Sequence, residues 1–271
     1  MPELPEVETI RCGLEPLVVG KRIDRVIVRT PKLRWPIPAD LARTLCGQVI
    51  RSVERRAKYL VFRCHSGSML IHLGMSGRLR IISGPADPGK HDHVDIVFNN
   101  NTSLRFCDPR RFGALLWIEA DPLAHPLLIN SGPEPLTKEM NAAYLYERSR
   151  GRKISVKQFI MDHRVVSGVG NIYANEALFM SRIHPLTPAG RISLKRYQRL
   201  SSAIKKTLRK AIAAGGTTVR DFQDESGDAG FFQLKLKVYG RRGDACFVCG
   251  HVIRCIRNGQ RSTFYCPQCQ R

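Results

Sequence analysis

Near the end of the chain the stretch CFVCGHVIRCIRNGQRSTFYCPQCQ carries two cysteine pairs of one form. Cys246 and Cys249 are separated by two residues, as are Cys266 and Cys269, and sixteen residues lie between the pairs. Each pair sets two thiolates on one side of a tight turn, and two such knuckles complete a tetrahedral all-sulfur shell. Few patterns constrain a short segment more, because the backbone must bring four sulfurs to one point. With no further matched ligand and no open coordination position, the expected ion is one structural zinc; a redox pair is the other reading. The residues between the pairs read as a β-hairpin with its turn around Asn258 and Gly259. Cys255 falls outside the pattern and reads as a packed thiol.

This segment is also basic. Residues 235–271 hold eight Lys and Arg against one acid, Asp244. The whole chain of 271 residues has 44 Lys and Arg against 23 Asp and Glu, a formal surplus of +21. Such a surplus costs self-repulsion unless a polyanion offsets it. Nucleic acid is the first candidate partner and an anionic membrane surface the second, beside a merely basic soluble protein. A metal-stiffened basic hairpin suits an arginine held against phosphate, although a zinc ribbon can equally bind protein. No stretch approaches 18 uninterrupted apolar residues, so no membrane span is expected. The chain opens on acidic residues where a secretion signal would be basic and then apolar, which points to a cytoplasmic protein with reduced thiols.

The length allows two domains with separate cores. Val7, Ile10, Leu14 and Leu17 recur at helical spacing over 6–17, with Pro5 near the first turn and Pro16 expected to mark the end. β-rich runs follow, among them RIDRVIVRT, SMLIHLGMSGRLRII and HVDIVFNNNTSLRFC, whose three asparagines at 99–101 read as a hairpin turn. A β-sandwich or flattened barrel is expected to about residue 130. Residues 130–135 read as a linker, and helical spacing follows. In SLKRYQRLSSAIKKTLRKAIAAGG, Tyr197, Leu200, Ile204, Leu208 and Ile212 form an apolar stripe, Ser193 is placed to cap the start and Gly215 with Gly216 to end it. Residues 191–214 hold eight Lys and Arg and no acid. The polar, glycine-punctuated stretch after this helix reads as a long exposed loop. The fold class is therefore α+β: an N-terminal β-sandwich domain with one helix over 1–130, a helical domain over 131–234, and a four-cysteine zinc finger over 235–271.

In order along the chain stand PELPEVET, RRAKYL, IHLGMSGRLR, KHDHVD, DPRRFG, GVGNIYANEALF, GGTTVRDF and the four-cysteine finger. From residue 2 to the end this series resembles the formamidopyrimidine-DNA glycosylase family, bacterial enzymes that remove oxidised purines. The start is PELPE, unlike the PEGPE of the sister endonuclease VIII branch.

The resemblance implies a monomeric bifunctional glycosylase and abasic-site lyase acting on double-stranded DNA that contains oxidised purines or abasic sites. Excision of Met1 would leave Pro2 with a free secondary amine, the expected nucleophile toward the sugar C1′. An α-amino group has a reference pKa of about 7.7–8.0, so a useful fraction is neutral near pH 7. Glu3 is implied as acid/base at the sugar ring oxygen. Glu6 is either a first-turn helix acid or part of the catalytic shell. Lys58 would contact phosphate and assist β-elimination, and Arg261 would grip phosphate and assist δ-elimination. Met75, Arg110 and Phe112 match the residues that fill the space of an extruded base, whose eversion costs a few kcal/mol. Residues 155–179 match a helix–two-turn–helix in which Gly168 and Gly170 permit a tight path and Asn171 opens the second helix toward backbone phosphate. His72, His91, Lys153 and Tyr239 are further phosphate candidates, and the loop 217–230 matches the segment covering the extruded base. His163 departs from the Gln or Asn expected there. Two other readings stay open: an endonuclease VIII-like enzyme for oxidised pyrimidines, and a zinc-ribbon DNA-binding protein without catalysis.

Overall fold

The computed structural model describes residues 2–215 and 236–271. They belong to two compact units, one containing 2–129 and the other 130–214 with 236–271. Among the described residues no helix is long and apolar enough to cross a membrane.

The first unit is the expected sandwich. Helix α1 (Leu4–Val18) precedes strands β1 (Ile23–Val28), β2 (Ser52–Arg56), β3 (Tyr59–Arg63), β4 (Ser68–His72), β5 (Arg78–Ser83), β6 (Asp92–Phe98), β7 (Thr102–Cys107) and β8 (Ala114–Ile118), with a short helix α2 (Leu41–Leu45) after β1. Two four-stranded antiparallel sheets result, ordered β1-β6-β7-β5 and β2-β3-β4-β8. Alternation along β6 and β7 sends Val94, Ile96, Phe98, Leu104 and Phe106 into the shared core, where they join Leu60, Phe62, Met69 and Ile71 of the other sheet. Val7, Ile10 and Leu14 of α1 complete that core. The turn between β6 and β7 falls where the three asparagines predicted it, and Asn101 adopts the left-handed conformation that asparagine tolerates.

α1 differs from expectation at both ends. It begins at Leu4 because the Glu6 carboxylate accepts the Glu3 backbone N–H at 2.9 Å, holding a turn that the apolar spacing alone does not reveal. It also runs through Pro16 to Val18. A proline so near the end removes a single backbone donor, and the burial of Leu14 and Val18 outweighs that loss.

On the outer face of the first sheet a buried ion network fixes the loop before β6. Arg105, 5% exposed, donates to Asp95 at 2.8 and 2.9 Å, to Asp92 at 3.3 Å and to the carbonyls of Ala86 and Asp87. Burial alone would raise the Asp95 carboxyl, but hydrogen bonds from Arg105 and Arg29 hold it below the usual carboxylate range.

The second unit contains helices α3 (Ala142–Ser149), α4 (Val156–Met161), α5 (Asn171–Met180) and α6 (Leu194–Ala213), then the hairpin β9 (Arg254–Asn258) and β10 (Arg261–Tyr265). Tyr197, Leu200, Ile204 and Leu208 of α6 are buried as the stripe predicts, with Ala211 rather than Ile212 closing it. Ser193 stands at the start of α6, but its hydroxyl makes no capping bond. Helix α5 is buried nearly all round. Its Glu176 carboxylate, 5% exposed, accepts the backbone N–H groups of Lys237, Val238 and Tyr239 at 2.8–2.9 Å. Asn175 Oδ1 accepts from Phe264 N at 2.8 Å, and the buried Lys157 of α4 donates to Ser262 O and Thr263 Oγ1. Phe179 packs with Val238, Cys246, Ile253 and Cys266 in a small core beneath the cysteine knuckles. The hairpin is therefore seated on α4 and α5 by buried polar bonds as well as apolar contact.

Removing the Glu176 carboxylate strands three buried donors, each costing about 1–3 kcal/mol when unsatisfied. We expect Glu176→Ala to speed hydrogen exchange of the Lys237, Val238 and Tyr239 amides by roughly a hundredfold, corresponding to about 3 kcal/mol of local opening. Amide exchange read by mass spectrometry checks this, and amides of β6 serve as the unaffected reference.

Candidate active site and nucleic-acid contacts

The start of the chain is built into the first unit. Pro2 is half-buried, Glu3 is 3% exposed, and the helix begins at the next residue. The positive end of the α1 dipole thus meets Glu3 and Glu6. Farther along α1, Glu8 accepts from Arg55 Nε at 2.7 Å and from Arg11 Nε at 2.8 Å. Burial raises the Glu8 carboxyl, but these two arginines outweigh it and hold it below the usual range. Arg55 Nη1 also donates to the Ala57 carbonyl at 3.0 Å. Ala57 and Lys58 form the two-residue turn between β2 and β3, with Ala57 at φ +55°. Such a conformation costs a non-glycine residue about 1–2 kcal/mol, and Arg55 holds it in place. One arginine therefore joins the helix carrying Pro2 to the turn carrying Lys58.

β3 and β4 pair Tyr59 with His72, whose rings lie 4.6 Å apart. Burial, reinforced by the charges of Lys58 and Arg34, pushes the His72 imidazole down to about 4. Its Nδ1 accepts the Gly74 N–H at 3.0 Å, so the neutral ring carries its proton on Nε2. His72 is a neutral donor beside Lys58, a charged one.

Met75, Arg110 and Phe112 come from two separate turns that Asp108 locks together. Asp108 is fully buried and accepts from Ser76 Oγ at 2.7 Å, Gly113 N at 2.7 Å and Arg110 N at 3.3 Å. Its own carbonyl meets His93 Nε2 at 2.8 Å, and its N–H bonds the carbonyl of His91, a half-buried residue. Gly74 has φ +61°, and a Cβ there would sit 2.4 Å from the Phe112 carbonyl carbon, so the turns touch only because this position is glycine. Met75 and Phe112 remain 41% and 44% exposed although large and apolar, and the Arg110 guanidinium lies 4.7 Å from the Phe112 ring. Core packing does not explain either residue.

In the second unit Ser155 caps α4 through Gln158 N, and the chain turns twice before α5. Gly168 takes the left-handed conformation, whereas Gly170 is extended at the start of α5. Asn171 opens α5 and donates from Nδ2 to Ser262 O at 3.1 Å, next to Arg261. Arg261 follows the Gly259–Gln260 turn, one residue beyond the turn centre that the sequence suggests, and lines a cavity of about 250 Å³ with Lys157, Gln158 and Asn258. Tyr239 is half-buried, its ring edge-on to Phe264 at 5.2 Å. Lys153 is exposed just before α4, and His163 is exposed beside Asp162 at 3.9 Å. The loop 217–230 and Met1 lie outside the described residues.

The four cysteines converge as their spacing requires. All four Sγ atoms lie within 4.8 Å of one another, with Cys246 and Cys269 4.0 Å apart and Cys249 and Cys266 3.4 Å apart. A tetrahedron with zinc–sulfur bonds of about 2.3 Å has edges of about 3.8 Å, so the cage fits one structural zinc. Backbone N–H groups of Val248 and Cys269 point at Cys246 and Cys266, as expected around thiolate ligands.

Sequence reasoning missed Glu8, Arg55, Asp108, Lys157, Asn175 and Glu176. Glu8, Arg55, Asp108, Asn175 and Glu176 lie inside the motifs PELPEVET, RRAKYL, DPRRFG and GVGNIYANEALF, but nothing local names their partners.

Comparison with known proteins matches three successive family models. Formamidopyrimidine-DNA glycosylase N-terminal domain covers residues 1–115, Formamidopyrimidine-DNA glycosylase H2TH domain 131–223, and Zinc finger found in FPG and IleRS 243–271. A Formamidopyrimidine-DNA glycosylase of Syntrophotalea carbinolica is 55% identical over 271 residues, the full length of both chains. Among solved structures, a Lactococcus lactis FPG mutant in complex with a Fapy-dG containing DNA has a TM-score of 0.90 at 32% identity, covering all of each chain. The Lactococcus lactis Fpg bound to an abasic site containing DNA is equally similar, with TM-score 0.90, 32% identity and full coverage. With its sandwich, helical segment and zinc cage matched in order and over its whole length, the chain belongs to the formamidopyrimidine-DNA glycosylase family.

Proposed function

We propose that this chain carries out base-excision repair of DNA as a glycosylase for oxidised purines, such as 8-oxoguanine and formamidopyrimidines, and cleaves the resulting abasic site. The observation that supports this most is the chain start: Pro2 held at the head of a capped helix, with the buried Glu3 next to it. Its closest support from relatives is the binding of lesion-containing and abasic DNA by the Lactococcus proteins. The relatives are bacterial, and the reading implies a cytoplasmic enzyme working on the chromosome as a monomer.

In this reading, removal of Met1 frees the Pro2 nitrogen. The neutral amine attacks C1′ of the damaged nucleotide, the bond from C1′ to the base breaks, and the base leaves with the bonding pair. Glu3 supplies a proton to the ring oxygen as the sugar opens. The attacking nitrogen passes its proton to the departing base, and ring opening then leaves it as an iminium with a fixed positive charge, which acidifies the C2′ proton. Loss of that proton expels the 3′ phosphate, and a second elimination expels the 5′ phosphate. Lys58 and Arg261 neutralise the departing phosphates.

His72, His91, Lys153, Asn171 and Tyr239 hold the backbone and give affinity without sequence choice. Asn171 acts at a helix N-terminus, where N–H groups and dipole favour phosphate. Met75 and Phe112 fill the space left by the everted nucleotide, and Arg110 reads its orphaned partner. The loop 217–230 covers the everted base. The 1–130, 131–234 and 235–271 segments are, in this reading, the catalytic, backbone-binding and finger modules. A zinc ion held by Cys246, Cys249, Cys266 and Cys269 would tie the finger's two knuckles together and so keep the hairpin that carries Arg261 in shape.

Pro2→Gly retains a terminal amine but loses the ring that fixes it. Borohydride trapping on oxidised duplex should drop at least tenfold, and undiminished trapping removes Pro2 from the mechanism. Zinc chelation, or Cys266→Ser, should weaken duplex binding more than it destabilises residues 2–129; anisotropy and thermal unfolding measured together check this. His72 titrates near 4 when folded and near 6.5 when unfolded, so the unfolded chain binds the extra proton and stability falls as pH drops through that window. We expect His72→Gln to lessen the stability lost between pH 7 and pH 5 by up to about 2 kcal/mol, read from urea unfolding at the two pH values.

A further inference from the structure

Helix α6 presents a second strongly charged surface that the reaction above does not use. Its apolar stripe faces α3 and α5, so the remaining side chains stand on the opposite side. At 100° per residue, Lys195, Arg199, Lys206, Arg209 and Lys210 fall within an arc of about 100° and run along about 22 Å of helix. All five are exposed. Among the described residues no carboxylate forms an ion pair with any of them. Beside them, Lys205, Lys206 and Arg209 line a polar groove of about 520 Å³ with Asn141, Ser201 and Ser202.

Helix stability does not account for this arrangement. Lys195 with Arg199, and Lys206 with Lys210, are like charges one turn apart, each pair destabilising by about 0.2–0.5 kcal/mol. Cations in the last turn suit the helix dipole, but Lys195 and Arg196 stand in the first turn, where they oppose it. Alternating signs would lace such a face with ion pairs, and this one contains no acid from 191 to 214. Within the second unit the face also lies a layer away from the zinc hairpin. Asn171 reaches the hairpin at Ser262 O, α5 packs between that hairpin and α6, and α6 continues onto α3.

We infer that the basic face of α6 is a second binding surface for duplex nucleic acid, independent of sequence and distinct from the groups that hold the lesion. Duplex DNA carries about one charge per 1.7 Å with both strands counted, so a length of about 22 Å holds roughly a dozen phosphates, of which those on the near side can meet the five cations. An anionic membrane fits less well, because a helix lying on lipid inserts its apolar face, and here that face is consumed by the core. The partner is therefore a second segment of DNA. An enzyme engaged at one segment can touch another before releasing the first, and so pass between segments without free diffusion.

The inference rests on the reading that the lesion duplex is held through His72, Asn171 and Arg261. The test saturates the full protein with a duplex containing an uncleavable abasic analogue, then adds a fluorescent undamaged duplex at 50 mM salt. Anisotropy and sedimentation should reveal a complex with both duplexes. Four contacts imply a loss of affinity for the second duplex on the order of a hundredfold between 50 and 200 mM salt. Combining Lys195→Gln, Arg199→Gln, Lys206→Gln and Lys210→Gln should weaken the second binding at least tenfold while single-turnover cleavage of oxidised duplex stays unchanged. The charge-conserving set Lys195→Arg, Arg199→Lys, Lys206→Arg and Lys210→Arg should keep both activities, which guards against a folding defect. Absence of the double complex, its persistence in the Gln variant, or an equal loss of lesion-duplex affinity in that variant would each overturn the inference. So would retention of anionic vesicles without uptake of the second duplex. Failure of the catalytic reading would show separately, as oxidised duplex left uncut by the wild type.

Discussion

In the proposed reaction the chain end does the chemistry and must be held as firmly as a side chain in a core; the Glu8–Arg55 pair joins its helix to the turn between β2 and β3. Glu8 lies one turn into α1, and Arg55 lies at the end of β2. Their side chains are 18% and 11% exposed, dry enough for the pair to act as a fixed joint and wet enough to limit its desolvation cost. Through the Ala57 carbonyl, the same guanidinium sustains an unfavourable backbone turn. Arg55 thus ties the helix to the turn that leads into Tyr59, alongside the apolar contacts of Val7, Ile10 and Leu14.

The second unit solves a comparable problem with different means. A ribbon of two knuckles and a hairpin has too little apolar surface to hold itself on a helix pair. It borrows Phe179 for its core and satisfies its backbone through Glu176, Asn175 and Lys157. Lys157 is 1% exposed, and Ser262 O and Thr263 Oγ1 give its ammonium the acceptors that such burial demands. Asn175 and Lys157 align the hairpin, while Glu176 holds the segment that leads into the first knuckle.

Much of this is legible in the sequence alone. Ligand type and spacing announced the zinc cage, the helical period of Tyr197 to Leu208 announced α6, and strand alternation announced the sandwich. The motif resemblance proposes site residues that composition would leave as surface side chains, Lys58 above all. What stayed hidden depends on long-range register. Glu176 reads as an ordinary helical acid, and the three donors it accepts lie 61 to 63 positions away. Lys157 reads as a solvated lysine, and its acceptors are more than a hundred residues distant. Pro16 misled for the opposite reason: the local rule was correct, but tertiary burial of the helix end outweighed it.

Asp108 gives the turns that bear Met75 and Phe112 a shared anchor, and this has a mechanical result. The two stretches of backbone are tied together, because Ser76, Arg110 and Gly113 all bond the same carboxylate. In the proposed repair reaction the pair would behave as a single blade. Load met by either tip would then pass through one carboxylate into the β-sandwich.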